Sequence, residues 1–164
     1  FLNLPLLDAV IFSCVTVILI GISFVDFYTM QIPLIFVIVG AAAVSMAIFK
    51  KSIYLSSAVY GIFVGAIIPL IILGLMWLIT KRQGMGFGDI QIGFVLGAWL
   101  GPMRMALTLF FASVLSLIVW VAVSIVRGFD KNRAIPMGPF LSVAGTGVYV
   151  GSFYYPELFY LLII

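Results

Sequence analysis

Histidine is absent from the 164 residues, and cysteine occurs once, as Cys14 in the first apolar run. The missing histidine removes the usual general base, the usual zinc ligand and the Ser-His catalytic triad. A single cysteine excludes an internal disulfide, and the sequence has no CxxC or Cys/His pattern with zinc-binding spacing. The sequence therefore predicts no metal site and no cofactor.

Charged residues are also scarce, since they make up 8% of the chain against 65% for hydrophobic residues. Soluble domains average about 25% charged and about 45–50% apolar residues, and a soluble fold of this size cannot hide so much apolar surface. The net charge of +3 is small, and the basic residues form short clusters between apolar runs. Such clusters mark membrane topology and not a nucleic-acid partner. We expect one transmembrane domain over residues 1–164, with the lipid bilayer as its surroundings.

Six apolar runs predict an all-α, polytopic fold with about six spans, because one span needs about 20 residues. The runs cover roughly residues 6–25, 34–49, 55–79, 90–100 and 105–126, and then residue 135 to the end with a break at Pro156. The fourth run is short, so it either begins inside the glycine segment before it or is tilted or partly re-entrant. The segment from Asp26 to Pro33 is predicted to be a turn, with Pro33 suited to the first turn of the next helix.

Among the acidic residues, Asp26 and Asp89 are the candidates for a catalytic role. Asp8 lies near the chain start, Asp130 lies among basic loop residues, and Glu157 follows Pro156 in a helix-end or interfacial position. An acid at the edge of a membrane span is costly, so it is a functional-site hypothesis by default. One membrane crossing per span places Asp26 and Asp89 on the same face, and Asp8 on the opposite face.

The distribution of basic residues predicts which face this is. Five basic residues fall on the aspartate face and three on the opposite face: Lys81, Arg82, Arg127, Lys131 and Arg133 against Lys50, Lys51 and Arg104. Basic residues are enriched in cytoplasmic loops. The aspartate face is therefore predicted to be cytoplasmic.

Glycine occupies three alternate positions in Gly84-Met85-Gly86-Phe87-Gly88-Asp89. Glycine permits backbone conformations and close approaches that a side chain forbids. We expect this segment to hold Asp89 in an unusual backbone geometry and to leave room for an extended peptide. A second set of glycines, spaced by four, predicts close helix packing in lipid; it consists of Gly93, Gly97 and Gly101 in one run and Gly61 and Gly65 in another.

Two carboxylates in one membrane site can hydrolyse an amide. At a separation of a few ångströms they do not both ionise readily, so one can take a proton from water while the other gives one to the substrate carbonyl. The pair titrates as a unit, so neither member has a fixed role. The same acids also fit a small ion or proton transporter, although repeated halves or acids nearer the span centres are then expected. In a third interpretation the chain is a non-catalytic scaffold whose acids cap helices.

Three blocks of sequence resemble the type IV prepilin peptidase family. The first is Asp26 with Ile32-Pro33 downstream, and the second is the GxGD motif Gly86-Phe87-Gly88-Asp89 followed by Ile90-Gln91-Ile92 and Gly97-Ala98-Trp99-Leu100-Gly101. The third is Ile135-Pro136-Met137-Gly138-Pro139-Phe140, so the resemblance extends over about residues 26–140. Presenilin-type proteases share GxGD, but the order of the three blocks is more specific.

The resemblance implies a GxGD-type aspartic endopeptidase of the inner (cytoplasmic) membrane. Such an enzyme removes the leader from type IV prepilins or pseudopilins at the cytoplasmic face, just before their N-terminal apolar helix. It implies catalytic roles for Asp26 and Asp89, and motif or substrate-positioning roles for the neighbouring residues Gly84, Gly86, Gly88 and Pro33. Leu34 stands where the family often has Asn or Asp, and Gln91 where it often has Lys. Many bacterial members also carry a zinc-binding cysteine region associated with N-methylation of the cut pilin. These residues contain no such region, so no methyltransferase activity is predicted for them.

Overall fold

The computed structural model of the protein describes residues 6–80, 86–129 and 135–157, which are helical and joined by short connections. The helices are α1 (Leu6–Thr29), α2 (Leu34–Phe49), α3 (Leu55–Ile62), α4 (Ile68–Thr80), α5 (Phe87–Leu100), α6 (Pro102–Arg127) and α7 (Gly138–Tyr154). A π-helical turn, Phe63–Ile67, joins α3 directly to α4, so these two form one continuous rod. The described residues thus form six helical rods, which confirms the predicted all-α fold of about six spans.

Three of the rods are long and apolar enough to cross a membrane. They are α1, the α3–α4 rod and α6, while α2 and α5 are shorter apolar helices. Large apolar side chains are widely exposed, as at Ile125 and Val126 of α6, which are 80% and 83% exposed. Without water-facing polar residues to cover them, these surfaces match a surrounding of lipid chains. The protein is therefore a helical membrane protein.

The short helix α5 lies at the centre of the fold. Its residues Ile92 and Leu96 are fully buried, and α2, α3, α6 and α7 pack around it. Its 14 residues extend for about 21 Å, which is less than the hydrocarbon thickness of about 30 Å. Of the alternatives for the short fourth run, a start inside the glycine segment is confirmed, because the helix begins at Phe87.

Glycine pairs bring the α3–α4 rod into backbone contact with α5, as the spacing predicted. A Cβ atom added at Gly97 would overlap the carbonyl oxygen of Gly61, and one at Gly93 would overlap that of Gly65. A Cβ at Gly61 would also stand 2.9 Å from the Cα of Gly101, the third glycine of the α5 set. Gly101 has a second role. Its φ of +78° ends α5 and turns the chain into α6, which is a backbone conformation that glycine adopts at little cost.

Helix α1 extends one turn beyond its predicted end near Val25. The expectation of a turn starting at Asp26 is wrong, because the helix continues to Thr29 and Asp26 lies in its last turn. The Asp26 carboxylate is bonded inside the protein, so the helix does not need to end there to hydrate it. The chain leaves the helix at Met30, whose φ is +51° and whose N–H donates to the Asp26 carbonyl oxygen at 2.9 Å.

Three aromatic rings join α1, α5 and α7 near the helix ends that lie away from Asp26 and Asp89. Tyr149 stacks on Phe12 with ring centroids 5.1 Å apart and on Trp99 with centroids 4.4 Å apart. Stacked aromatic pairs stabilise beyond the surface they bury, by about 0.5–1.5 kcal/mol each. The stack therefore fixes three helices whose other ends carry Asp26, Asp89 and Gly138.

Candidate active site

Asp26 is buried at the end of α1 and bonded to the start of α7. Its side chain is 4% exposed, and its Oδ2 atom accepts a hydrogen bond of 2.9 Å from the backbone N–H of Gly138. The first N–H groups of a helix have no partner within the helix, and the helix dipole is positive at that end. The start of α7 thus supplies both a donor and a favourable electric field to the Asp26 carboxylate.

Asp89 is buried in the first turn of α5 and caps that helix. Its side chain is 8% exposed, and its Oδ2 atom accepts a hydrogen bond of 3.2 Å from the N–H of Gly86. In return, the Asp89 N–H donates to the Gly86 carbonyl oxygen at 3.2 Å. Asp89 therefore does cap its helix, as the third interpretation of the acids proposed. A carboxylate has about four acceptor sites, so one cap bond leaves it capacity for further contacts.

The structure brings the two aspartates together, close enough for their carboxylates to interact electrostatically. They come from α1 and α5, and both α2 and α7 pack against each of these helices. Charges interact more strongly away from bulk water than in it. The charge on the Asp26 carboxylate therefore affects the Asp89 carboxylate.

Gly88 lets the chain segment after α1 lie directly against the start of α5. A Cβ atom added at Gly88 would stand 2.7 Å from Cδ1 and 3.0 Å from Cβ of Ile32, which is closer than real Cβ contacts. Ile32 precedes Pro33, the N-cap residue of α2, whose carbonyl oxygen accepts from the Phe36 N–H at 3.1 Å. Pro33 thus stands just before the first helical turn, and the Ile32-Pro33 and GxGD blocks meet at Gly88.

The expectation that the glycine segment holds Asp89 in an unusual backbone geometry is wrong, because Asp89 lies in the first turn of α5 and the described motif glycines are also ordinary. Gly86 has φ −76° and ψ 146°, an ordinary extended conformation, and Gly88 lies inside α5. Their value is the space they leave, since a Cβ at Gly86 would lie 3.3 Å from Asp89 Oδ2. Gly84 lies outside the described residues.

The remaining acids that are described do not join this site. Asp8 lies in the first turn of α1, about 18 residues and five turns from Asp26. Glu157 is exposed beyond the end of α7. Within residues 6–80, 86–129 and 135–157, no three His, Cys, Asp or Glu side chains cluster in a way that could hold a metal ion.

Gly138 is a site residue that sequence reasoning did not single out. In the sequence it stood out only as one member of the block Ile135–Phe140, although its N–H donates to Asp26. A Cβ atom at this position would stand 2.6 Å from Asp26 Oδ2, so a side chain would displace the carboxylate. The available signal was the Gly138-Pro139 pair, because proline near a helix start marks where unpaired N–H groups lie.

Several relatives of this chain carry the same protein name. A prepilin leader peptidase/N-methyltransferase from Pseudomonas putida is 40% identical over 91 residues, which are 56% of this chain and 32% of that protein. One from Dichelobacter nodosus is 35% identical over 99 residues, which are 60% of this chain and 33% of that protein. The matched part thus spans about a third of these relatives' length. No solved structure matches the chain.

The family comparison covers most of the chain and both aspartates. The model of the type IV leader peptidase family matches residues 12–121, which include Asp26, the Ile32-Pro33 block and the GxGD motif. This match and the relatives confirm the resemblance seen in the sequence. The chain belongs to the type IV leader peptidase family.

Proposed function

We propose that residues 1–164 form the peptidase domain of a membrane aspartic endopeptidase, which removes the leader peptide from type IV prepilins or pseudopilins. The observation that carries the proposal is the pairing of two buried, electrostatically interacting aspartates, Asp26 and Asp89, at one end of the helices. Buried acids are costly in a membrane protein, and they mark functional sites more often than structural ones. The family match and the names of the relatives support the same activity.

The chemistry is acid–base hydrolysis shared between the two carboxylates. One carboxylate takes a proton from a water molecule, whose oxygen attacks the carbonyl carbon of the scissile amide. The other, in its protonated form, gives its proton to the carbonyl oxygen. The tetrahedral intermediate then breaks at the C–N bond as a proton moves to the leaving nitrogen. Either aspartate can act first, because the pair exchanges protons as a unit.

Backbone groups keep the two acids in place for this chemistry. The N–H of Gly138 holds Asp26 and the N–H of Gly86 holds Asp89. These donors belong to helix starts, which do not need to reorganise during the reaction, and preorganised dipoles are effective in catalysis. Gly84, Gly86, Gly88 and Pro33 are proposed to position the substrate backbone beside the acids, with Gly88 acting through the close approach of Ile32 to the start of α5.

The site is proposed to face the cytoplasm from the inner membrane. The excess of basic residues on the aspartate face supports this orientation. A substrate whose apolar helix lies in the bilayer presents the residues before that helix at the membrane interface. The scissile bond and the two acids would then meet at the same depth.

Cleavage of a membrane-embedded prepilin by the purified native protein tests the proposal. We expect liposomes that contain both proteins to yield a mature chain, whose new N-terminus is read by mass spectrometry, and a free leader peptide. Ion flux across the same liposomes is measured in parallel. If several prepilins remain uncleaved and the liposomes show an acid- or cation-dependent ion flux, the chain is instead a transporter.

The contact between Gly88 and Ile32 supplies a second prediction. Gly88→Ala is expected to lower the cleavage rate by about a hundredfold, because displacing a catalytic group by about 1 Å has an effect of this size. Ile32→Ala removes the Cγ1 and Cδ1 atoms that the new methyl group would strike. The double variant should therefore cleave faster than Gly88→Ala alone.

The control for this pair is Gly74→Ala, since a Cβ at Gly74 meets nothing within 4 Å. It should cleave at the native rate. Equal rates for Gly88→Ala with and without Ile32→Ala would show that the contact does not position Asp89.

A further inference from the structure

A groove of about 650 Å³ runs along the outside of the protein between α1 and α7. Its α1 wall includes Ile20, Phe24 and Phe27, and its α7 wall includes Val143 and Gly147. The large apolar side chains of these walls are well exposed, with both Phe27 and Val143 at 65%. The groove therefore opens toward the membrane, on a face that α1 and α7 leave uncovered.

The walls of this groove are largely apolar. The hydroxyl of Ser23 donates to the Leu19 carbonyl oxygen at 2.7 Å, and that of Ser142 donates to the Gly138 carbonyl oxygen at 2.8 Å. Both serine hydroxyls are thus satisfied by their own helices. The Thr16 hydroxyl, at one end of the groove, is buried and therefore does not face an occupant. The groove thus favours an occupant that is largely apolar.

The groove is long enough for a segment of helix and is open at Gly147. A Cβ at Gly147 would meet nothing within 4 Å, so the groove is empty beside this glycine. Small residues between two helices let a third helix approach closely in a membrane. From Thr16 to Tyr28, which line the two ends on α1, the groove extends for about 18 Å, or some 12 residues of helix.

One end of the groove lies at the candidate active site. Ser23 and Phe27 line the groove, and they flank Asp26 on α1 by one turn and by one residue. Pro139 lines the opposite wall and directly follows Gly138, whose N–H holds Asp26. A helix lying in the groove would therefore bring the residues at its end to the Asp26 carboxylate.

We propose that the groove between α1 and α7 is the docking site for the apolar helix of the substrate. The inference rests on the proposed function and adds where the substrate is held. The groove is largely apolar along its walls, is long enough for about 12 residues of helix, and ends beside Asp26. Docking there places the peptide bond that precedes the substrate helix at the two aspartates, and it makes the groove a determinant of specificity.

Filling the groove at Gly147 tests the proposal. Gly147→Phe should raise the KM for a membrane-embedded prepilin by at least about tenfold while kcat changes little, since a lost docking contact weakens binding without altering the chemical step. The matched control is Gly151→Phe, one turn further along α7. Its Cβ also meets nothing within 4 Å, and it is not part of the groove wall. Its KM should stay near the native value.

A disulfide trap measures docking independently of turnover. In a Cys14→Ser, Asp89→Asn background, Gly147→Cys should form a mixed disulfide with a cysteine in the apolar helix of a prepilin under mild oxidation, and Gly151→Cys should not. Cleavage by the native protein with equal KM and equal trapping for both positions would overturn the groove and leave the peptidase standing. Trapping of a second copy of this chain at Gly147→Cys in place of the prepilin would also overturn it. Absence of cleavage by the native protein would instead overturn the proposed function.

Discussion

Asp26→Asn and Asp89→Asn are each expected to abolish cleavage of a membrane-embedded prepilin, with a rate loss of about 10³-fold or more, the upper part of the range for a positioned acid or base. An amide cannot exchange a proton with water or with the substrate carbonyl. It does keep the shape of the carboxylate and one acceptor oxygen. In Asp26→Asn that oxygen can still accept from the Gly138 N–H, and in Asp89→Asn it can still accept from the Gly86 N–H at the start of α5. The fold should therefore survive both changes.

The control for these variants is Asp8→Asn, which makes the same chemical change on α1. Asp8 lies in the first turn of the helix, at the end away from the site, so its replacement should leave the cleavage rate near the native value. The double variant Asp26→Asn/Asp89→Asn should be no slower than either single variant, because groups that act as a unit are not additive. Cleavage by either single variant at more than about a tenth of the native rate would exclude shared acid–base catalysis.

Helix positions were largely readable from hydropathy. The second span was predicted over residues 34–49, and α2 occupies Leu34–Phe49. Alternation of spans then placed Asp26 and Asp89 on one face, and the structure brings them into electrostatic contact. Both results follow from the same physics, because a bilayer imposes length and direction on each helix without reference to its neighbours.

The predictions that were wrong concern features that depend on contacts between segments distant in the sequence. The first span was predicted to end at Asp26, where the apolar run ends. The helix continues because the N–H of Gly138, 112 positions away, bonds the Asp26 carboxylate inside the protein. At Gly86 and Gly88 the sequence indicated only that a side chain would not be tolerated. Whether glycine serves backbone freedom or close approach depends on the neighbour, and at Gly88 that neighbour is Ile32.

The glycine contacts between the α3–α4 rod and α5 lead to the largest expected effect on stability. Gly93→Ala should lower the free energy of unfolding by more than about 3 kcal/mol, beyond the usual range for overpacking. The added methyl group would overlap the backbone carbonyl of Gly65, and a backbone atom cannot rotate away as a flexible side chain does. The two helices would have to separate, and α5 would carry Asp89 with it.

The same substitution at Gly74 should have the opposite sign. Gly74 lies within α4, and its Cβ position is open, so alanine there should stabilise the helix by up to about 1 kcal/mol. Thermal unfolding of both variants in detergent, followed by the fluorescence of the tryptophans, measures the difference. A lower transition temperature for Gly93→Ala together with a native or higher one for Gly74→Ala would show that close backbone packing sets the position of α5. If both variants unfold at the native temperature, α5 is not held by its glycines, and the placement of Asp89 beside Asp26 has to depend on the contacts of α5 with α2 and α7.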